Sequence, residues 1–128
     1  MNVQTYLYFN GQCEEAIRTY QEAFEAELLF MQRVAEVPHL ADSDRENQVF
    51  HATLRIGTSL ISLSDDPSSG HQGFALVVHC DSLVDLERAI ASLVKGGELL
   101  MPEQPTPWAA HYAIVRDAFG VTWKLQVN

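Results

Sequence analysis

The spacing of apolar residues changes along the chain, and each change marks an element. "VQTYLYF" (3–9) alternates as a strand, and from Asn10 to Glu25 the apolar Cys13, Ala16, Ile17, Tyr20, Ala23 and Phe24 recur at three- and four-residue steps. That is the period of an amphipathic helix, with Asn10 as its expected N-cap and Glu14, Glu15, Glu22 and Glu25 on its wet face. "ELLFMQRVAEV" (27–37) reads as a strand ended by Pro38 and by the polar "HLADSDREN", a loop with no apolar anchor, so deletion of 41–47 is expected to leave the fold intact. "QVFHATLRI" places Phe50, Ala52, Leu54 and Ile56 on one face and His51, Thr53 and Arg55 on the other. After Gly57, "GTSLISLS" completes a hairpin.

A second loop, "DDPSSGHQG" (65–73), is built of turn formers; in it Asp65 and Asp66 are expected to shape the turn. The pattern then restarts. "FALVVHC" (74–80) is a strand, Ser82 caps a helix carrying Leu86, Ala89, Ile90, Leu93 and Val94 on one face, and Gly96 and Gly97 stop it. "ELLMPEQPTPW" (98–108) contains three prolines that confine it to a sheet edge or a loop. "HYAIVRDAFGVTWKLQV" (111–127) closes the chain as a hairpin with the outline of "HATLRIGTSLISL". The expectation is an α+β fold of two tandem βαβββ modules, 1–66 and 73–128, joined by a connector at 67–72.

Composition narrows the function classes. With 128 residues and 47% apolar content, the chain supports one domain with a real core. Seventeen acidic against eight basic residues, a net charge of −9, argue against nucleic acid and anionic membranes as partners. No apolar run reaches the length of a membrane span, and the N-terminus lacks a signal-peptide layout, so a cytoplasmic protein is expected. The two cysteines, Cys13 and Cys80, fall on apolar faces and read as packed thiols.

The phrases "YLYFNGQCEEAIRTYQEAFEAE", "HATLRIGTSLISLSDD" and "PWAAHYAIVRDAFGVTWKLQV", in that order, resemble the PhnB-like branch of the vicinal oxygen chelate superfamily, which includes glyoxalase I, bleomycin-resistance proteins and extradiol dioxygenases. The resemblance covers nearly the whole chain. It implies two βαβββ modules forming an incomplete barrel around a cleft, within a homodimer. Superfamily enzymes hold a divalent metal with four side chains, one from the first and one from the last strand of each module. In this sequence those positions fall on Thr5, Ser62 (or Ile61, if the hairpins are matched glycine to glycine), Ala75 and Lys124. None is a histidine or a glutamate, and no metal or other cofactor is expected.

Strand parity places Lys124 independently. Val121, Trp123, Leu125 and Val127 form an apolar face, leaving Thr122, Lys124 and Gln126 on the other. An ammonium beside a divalent cation costs several kcal/mol at ~4 Å even at an effective dielectric near ~20. His79 follows Ala75 and Val77 toward the cleft, where a binding role and a hydrogen-bonded strand end weigh evenly. His51, beside Thr53, leans to the latter. Trp108 either closes one end of the cleft or packs at a dimer interface. The ligand-binding residues expected are thus Thr5, His51, Ser62, Ala75, His79, Trp108 and Lys124.

Two functions follow. The first is a metal-free small-molecule binding module in which Lys124 meets an anionic or carbonyl group. The second is an enzyme using a relocated metal at His51 or His79, or Lys124 and His79 as an acid–base pair. Members of the branch also carry a demethylubiquinone methyltransferase label, but "NGQCEEA" has one glycine and the chain has no GxGxxG turn for a nucleotide-like methyl donor.

Overall fold

A computed structural model describes residues 1–38, 44–67 and 70–128. The elements run β1 (Thr5–Phe9), α1 (Cys13–Phe24), β2 (Glu27–Arg33), a 3-10 turn (Val34–Glu36), β3 (Val49–Ile56), β4 (Ser59–Asp65), β5 (Leu76–His79), α2 (Leu83–Leu93), β6 (Glu98–Thr106), β7 (Ala109–Arg116) and β8 (Thr122–Val127). The order is βαβββ twice, and the fold class is α+β as expected. Each half forms a four-stranded sheet of the same topology, β1-β4-β3-β2 and β5-β8-β7-β6, in which the first strand pairs in parallel with the fourth. Two compact units result: Met1–Gln21 with Glu25–Gly70, and Glu22–Phe24 with His71–Asn128.

In the first unit, Leu7, Phe9, Ala52, Leu54, Ile61 and Leu63 share the buried face of the sheet. Cys13, Ala16, Ile17 and Tyr20 on α1 are buried too, and the Tyr20 ring meets that of Phe9 at 6.5 Å. Asn10 is not the helix cap. Helix α1 begins at Cys13 after Gln12, whose side chain makes no capping bond. The cap comes from the end of β4 instead: Asp65 Oδ1 accepts the Cys13 N–H at 2.9 Å, and Oδ2 accepts the Val49 N–H at 2.9 Å. A buried carboxylate thus satisfies donors that open both a helix and a strand.

The loop after β2 is not an anchorless excursion either. His39–Ser43 lie outside the described residues, but Arg45 donates to Gln48 Oε1 at 2.6 Å and to the Asp65 carbonyl at 2.8 Å. The Glu46 carbonyl accepts the Ala35 N–H at 2.9 Å. Deleting 41–47 therefore removes these tethers, together with the Asn47 carbonyl that accepts from Arg33 at 2.9 Å.

In the second unit, Ser82 caps α2 as expected by accepting the Asp85 N–H. Strand β6 is an edge strand that retains Pro102 and Pro105 at the cost of repeated register shifts against β7. Asp117 organises the β7–β8 turn. Its Oδ1 accepts the N–H groups of Phe119 and Val121, and its Oδ2 accepts the Trp123 indole N–H at 2.9 Å. Trp123 is fully buried and lies 4.8 Å from the ring of Phe24.

Candidate functional site

The parallel register of β1 on β4 pairs Thr5 with Ile61 and Tyr6 with Ser62. Thr5 and Ser62 therefore lie on opposite faces of the first sheet, and the expected pairing of the two in one site is corrected. Thr5 shares the face of Leu7 and Ile61, while Gln4, Tyr6 and Tyr8 share that of Ser62. Strand register is what separates them, because a shift of one residue along β1 exchanges its two faces. Gln4 Nε2 donates to Ser62 Oγ at 2.8 Å, which makes Gln4 the partner that sequence reasoning missed.

The open face of this sheet is aromatic and polar. Tyr6 and Tyr8, two residues apart on β1, stack with ring centroids 4.8 Å apart. The antiparallel register adds Thr53 across from Ser62, Phe30 across from Thr53, and His51 two residues before Thr53. Tyr6 Oη lies 3.1 Å from His51 Nδ1, and Thr53 Oγ1 lies 3.3 Å from His51 Nε2. His51 also has the Tyr6 ring at 5.6 Å and the Phe30 ring at 6.1 Å. Tyr6, Tyr8 and Phe30 remain 40%, 46% and 51% exposed, although burying such rings is ordinarily worth kilocalories. Alternating "TYLYF" could have disclosed the tyrosines, since a strand with large residues on both faces has two surfaces to cover.

In the second unit, β8 pairs Lys124 with Val77 on one side and Ile114 on the other, and His79 lies across from Gln126. Lys124, His79, Val77 and Gln126 share a face opposite the buried Trp123 and Leu125, in agreement with parity. Ala75 immediately precedes β5. Trp108 sits in the two-residue turn between β6 and β7, 61% exposed, with its ring edge-on to Tyr112 at 5.3 Å. His111, the third residue of β7, lies on the buried-residue side of the sheet and bonds Glu103 through Nδ1 at 2.6 Å.

These donor sets do not fit a divalent ion. The first unit offers an amide and a hydroxyl already bonded to each other, with one imidazole engaged on both nitrogens. The second offers an ammonium beside two aliphatic side chains, with a single imidazole, His79, and the Gln126 amide on the same face. Among the described residues, no three His, Cys, Asp or Glu side chains come together in a group that could hold a metal. The thiols are no better placed for chemistry. Burial, followed by the Asp65 and Glu14 carboxylates, pushes the Cys13 thiol far up, and burial followed by Asp85 raises that of Cys80.

A family model described as 3-demethylubiquinone-9 3-methyltransferase matches residues 1–126. The chain belongs to this family. It is the PhnB-like branch that the helix and turn phrases indicated. Within reach of this 3-demethylubiquinone-9 3-methyltransferase family member is protein YjdN of Escherichia coli K12, 34% identical over 140 residues that cover 99% of this chain and 95% of YjdN. The crystal structure of protein PA1353 from Pseudomonas aeruginosa superposes with a TM-score of 0.89 at 31% identity, over 100% of this chain and 98% of that one. A glyoxylase/bleomycin resistance protein/dioxygenase domain from Frankia shares the fold at a TM-score of 0.69 and 18% identity, over 100% of this chain and 92% of the domain. The fold is accordingly that of the vicinal oxygen chelate superfamily.

Proposed function

We propose that this chain is a small-molecule binding protein that works without a metal ion. The observation that carries the reading is the open face of the first sheet, where stacked Tyr6 and Tyr8 and the ring of Phe30 stand exposed beside half-buried His51 and the polar Gln4, Ser62 and Thr53. Aromatic surface interleaved with a few convergent hydrogen-bonding groups is the make-up of a ligand site. On the second unit taken by itself, Lys124 and His79 share a strand face, and there the ammonium would meet an anionic or carbonyl group. A screen of small molecules by ligand-induced change in melting temperature tests this, using wild type and Tyr8→Ala. Ligands that stabilise wild type and lose that effect in the variant support the reading; a flat screen counts against it.

A second reading keeps an acid–base enzyme of the same superfamily, favoured by His79 and Lys124 sharing a face. Turnover of a ligand found in the screen, lost in both Lys124→Met and His79→Gln, would put it first. The methyl transfer in the family's description finds no support in these residues, because the turn into α1 holds a single glycine. We further propose a cytoplasmic homodimer. No helix among the described residues is long and apolar enough to cross a membrane, and each sheet has two edge strands that pairing would cover. Light scattering should give twice the chain mass of 14.3 kDa.

A further inference from the structure

The open face of the first sheet carries a hydrogen-bond relay whose direction can reverse. Tyr6 Oη, His51 and Thr53 Oγ1 are joined through the two imidazole nitrogens at 3.1 and 3.3 Å. With one ring proton, His51 has two arrangements. Either Tyr6 donates to Nδ1 while Nε2–H donates to Thr53, or Thr53 donates to Nε2 while Nδ1–H donates to Tyr6. Each neutral arrangement leaves one hydroxyl hydrogen free to point outward. With both nitrogens protonated, both hydroxyl hydrogens are freed, and a positive charge stands behind them.

Resting on the reading of this face as a small-molecule site, we infer that the relay selects planar aromatic ligands bearing an acidic oxygen, and that such a ligand binds with uptake of a proton by His51. The rings supply the planar half of the specificity: Tyr8 stacks on Tyr6 at 4.8 Å, and Phe30 stands 6.1 Å from His51. The charge arrangement supplies the other half. On this face β1 brings only tyrosines, and β4 brings Leu60, Ser62 and Ser64. Strand β2 brings Phe30 and Gln32, with Glu27 taken by Arg55 of β3 and the terminal Arg33 taken by Glu14. Asp65 is turned to the other side, onto Cys13 and Val49. None of these groups gives an imidazolium its counter-charge, so an arriving anion does. By linkage, the group that stabilises the charged ring also draws in its proton.

The probe is 2-naphthoate, titrated by calorimetry near neutral pH in phosphate and in Tris, whose ionisation heats differ. The expected result is binding whose heat depends on the buffer in the sense of proton uptake. Tyr6→Phe should weaken binding about tenfold, because the hydrogen bond to a charged acceptor is lost, and His51→Gln should abolish the uptake. Tyr8→Ala should weaken binding and keep the uptake. Buffer-independent heat in wild type, or unchanged affinity in Tyr6→Phe, overturns the inference. Failure of naphthoate to bind a protein that still gains melting temperature with other compounds overturns the inference alone; failure of both overturns the small-molecule reading as well.

Discussion

Asp65 Oδ1 accepts the backbone N–H of Cys13 across 52 residues of sequence, joining the end of β4 to the first turn of α1. The same carboxylate holds the start of β3 through Val49, and the residue is only 8% exposed. Asp65→Ala leaves two buried donors without acceptors and should cost about 2–4 kcal/mol in urea unfolding. Asp65→Asn, which retains an acceptor oxygen, should fall between the two. An alanine variant as stable as wild type would remove the latch from the account.

Gly97 sits where a side chain has no room. A Cβ there would lie 2.3 Å from the Arg116 carbonyl oxygen and 2.9 Å from the Asp117 backbone. Gly97→Ala should lower stability by about 2–3 kcal/mol through displacement of the start of the β7–β8 turn. Gly70→Ala, with nothing among the described residues within 4 Å of the added Cβ, serves as the control and should stay within about 0.5 kcal/mol of wild type.

Glu14 of α1 accepts from Arg33 at 2.7 Å, and that hydrogen bond, reinforced by the Arg33 and Arg18 charges, lowers the Glu14 carboxyl below its ordinary 4.5. A carboxyl lowered by folding contributes stability above its unfolded value and loses it as pH falls through the folded one. The side chains are partly exposed, so Glu14→Gln should cost less than about 1 kcal/mol near neutral pH. The gap between variant and wild type should close below 4.5. A gap that widens on acidification would contradict the assignment.

Metal content follows from the donor groups. In the first unit Gln4 and Ser62 are neutral and spent on each other, and on the face of the second unit that carries Lys124 the ammonium repels a cation. Purified protein should carry no stoichiometric zinc, nickel, manganese or iron by elemental analysis, and Lys124→Glu alone should bind these ions only feebly. Tight stoichiometric metal in wild type would move the enzyme reading ahead.

Arg45 tests the loop. Its bonds to Gln48 and to the Asp65 carbonyl predict that Arg45→Ala costs about 1–2 kcal/mol, measured by thermal unfolding. A neutral outcome would restore the view of 41–47 as dispensable.

Local pattern along the sequence was enough for the two βαβββ units, the face of Lys124 and His79 and the Ser82 cap, because each depends on residues a few positions apart. Period two and period 3.6 are local properties of the backbone, and apolar residues must follow them to be buried. What periodicity does not contain is registration between strands. Whether Thr5 or Tyr6 stands across from Ser62 depends on how β1 slides along a strand more than fifty residues away, and a slip of one residue exchanges the two faces. The Asp65 cap on Cys13, the Arg45 tether and the Tyr6–His51 contact are likewise hydrogen bonds between distant segments. Hydrogen bonds act over about 3 Å and leave no period in the sequence, so only the packed chain decides them.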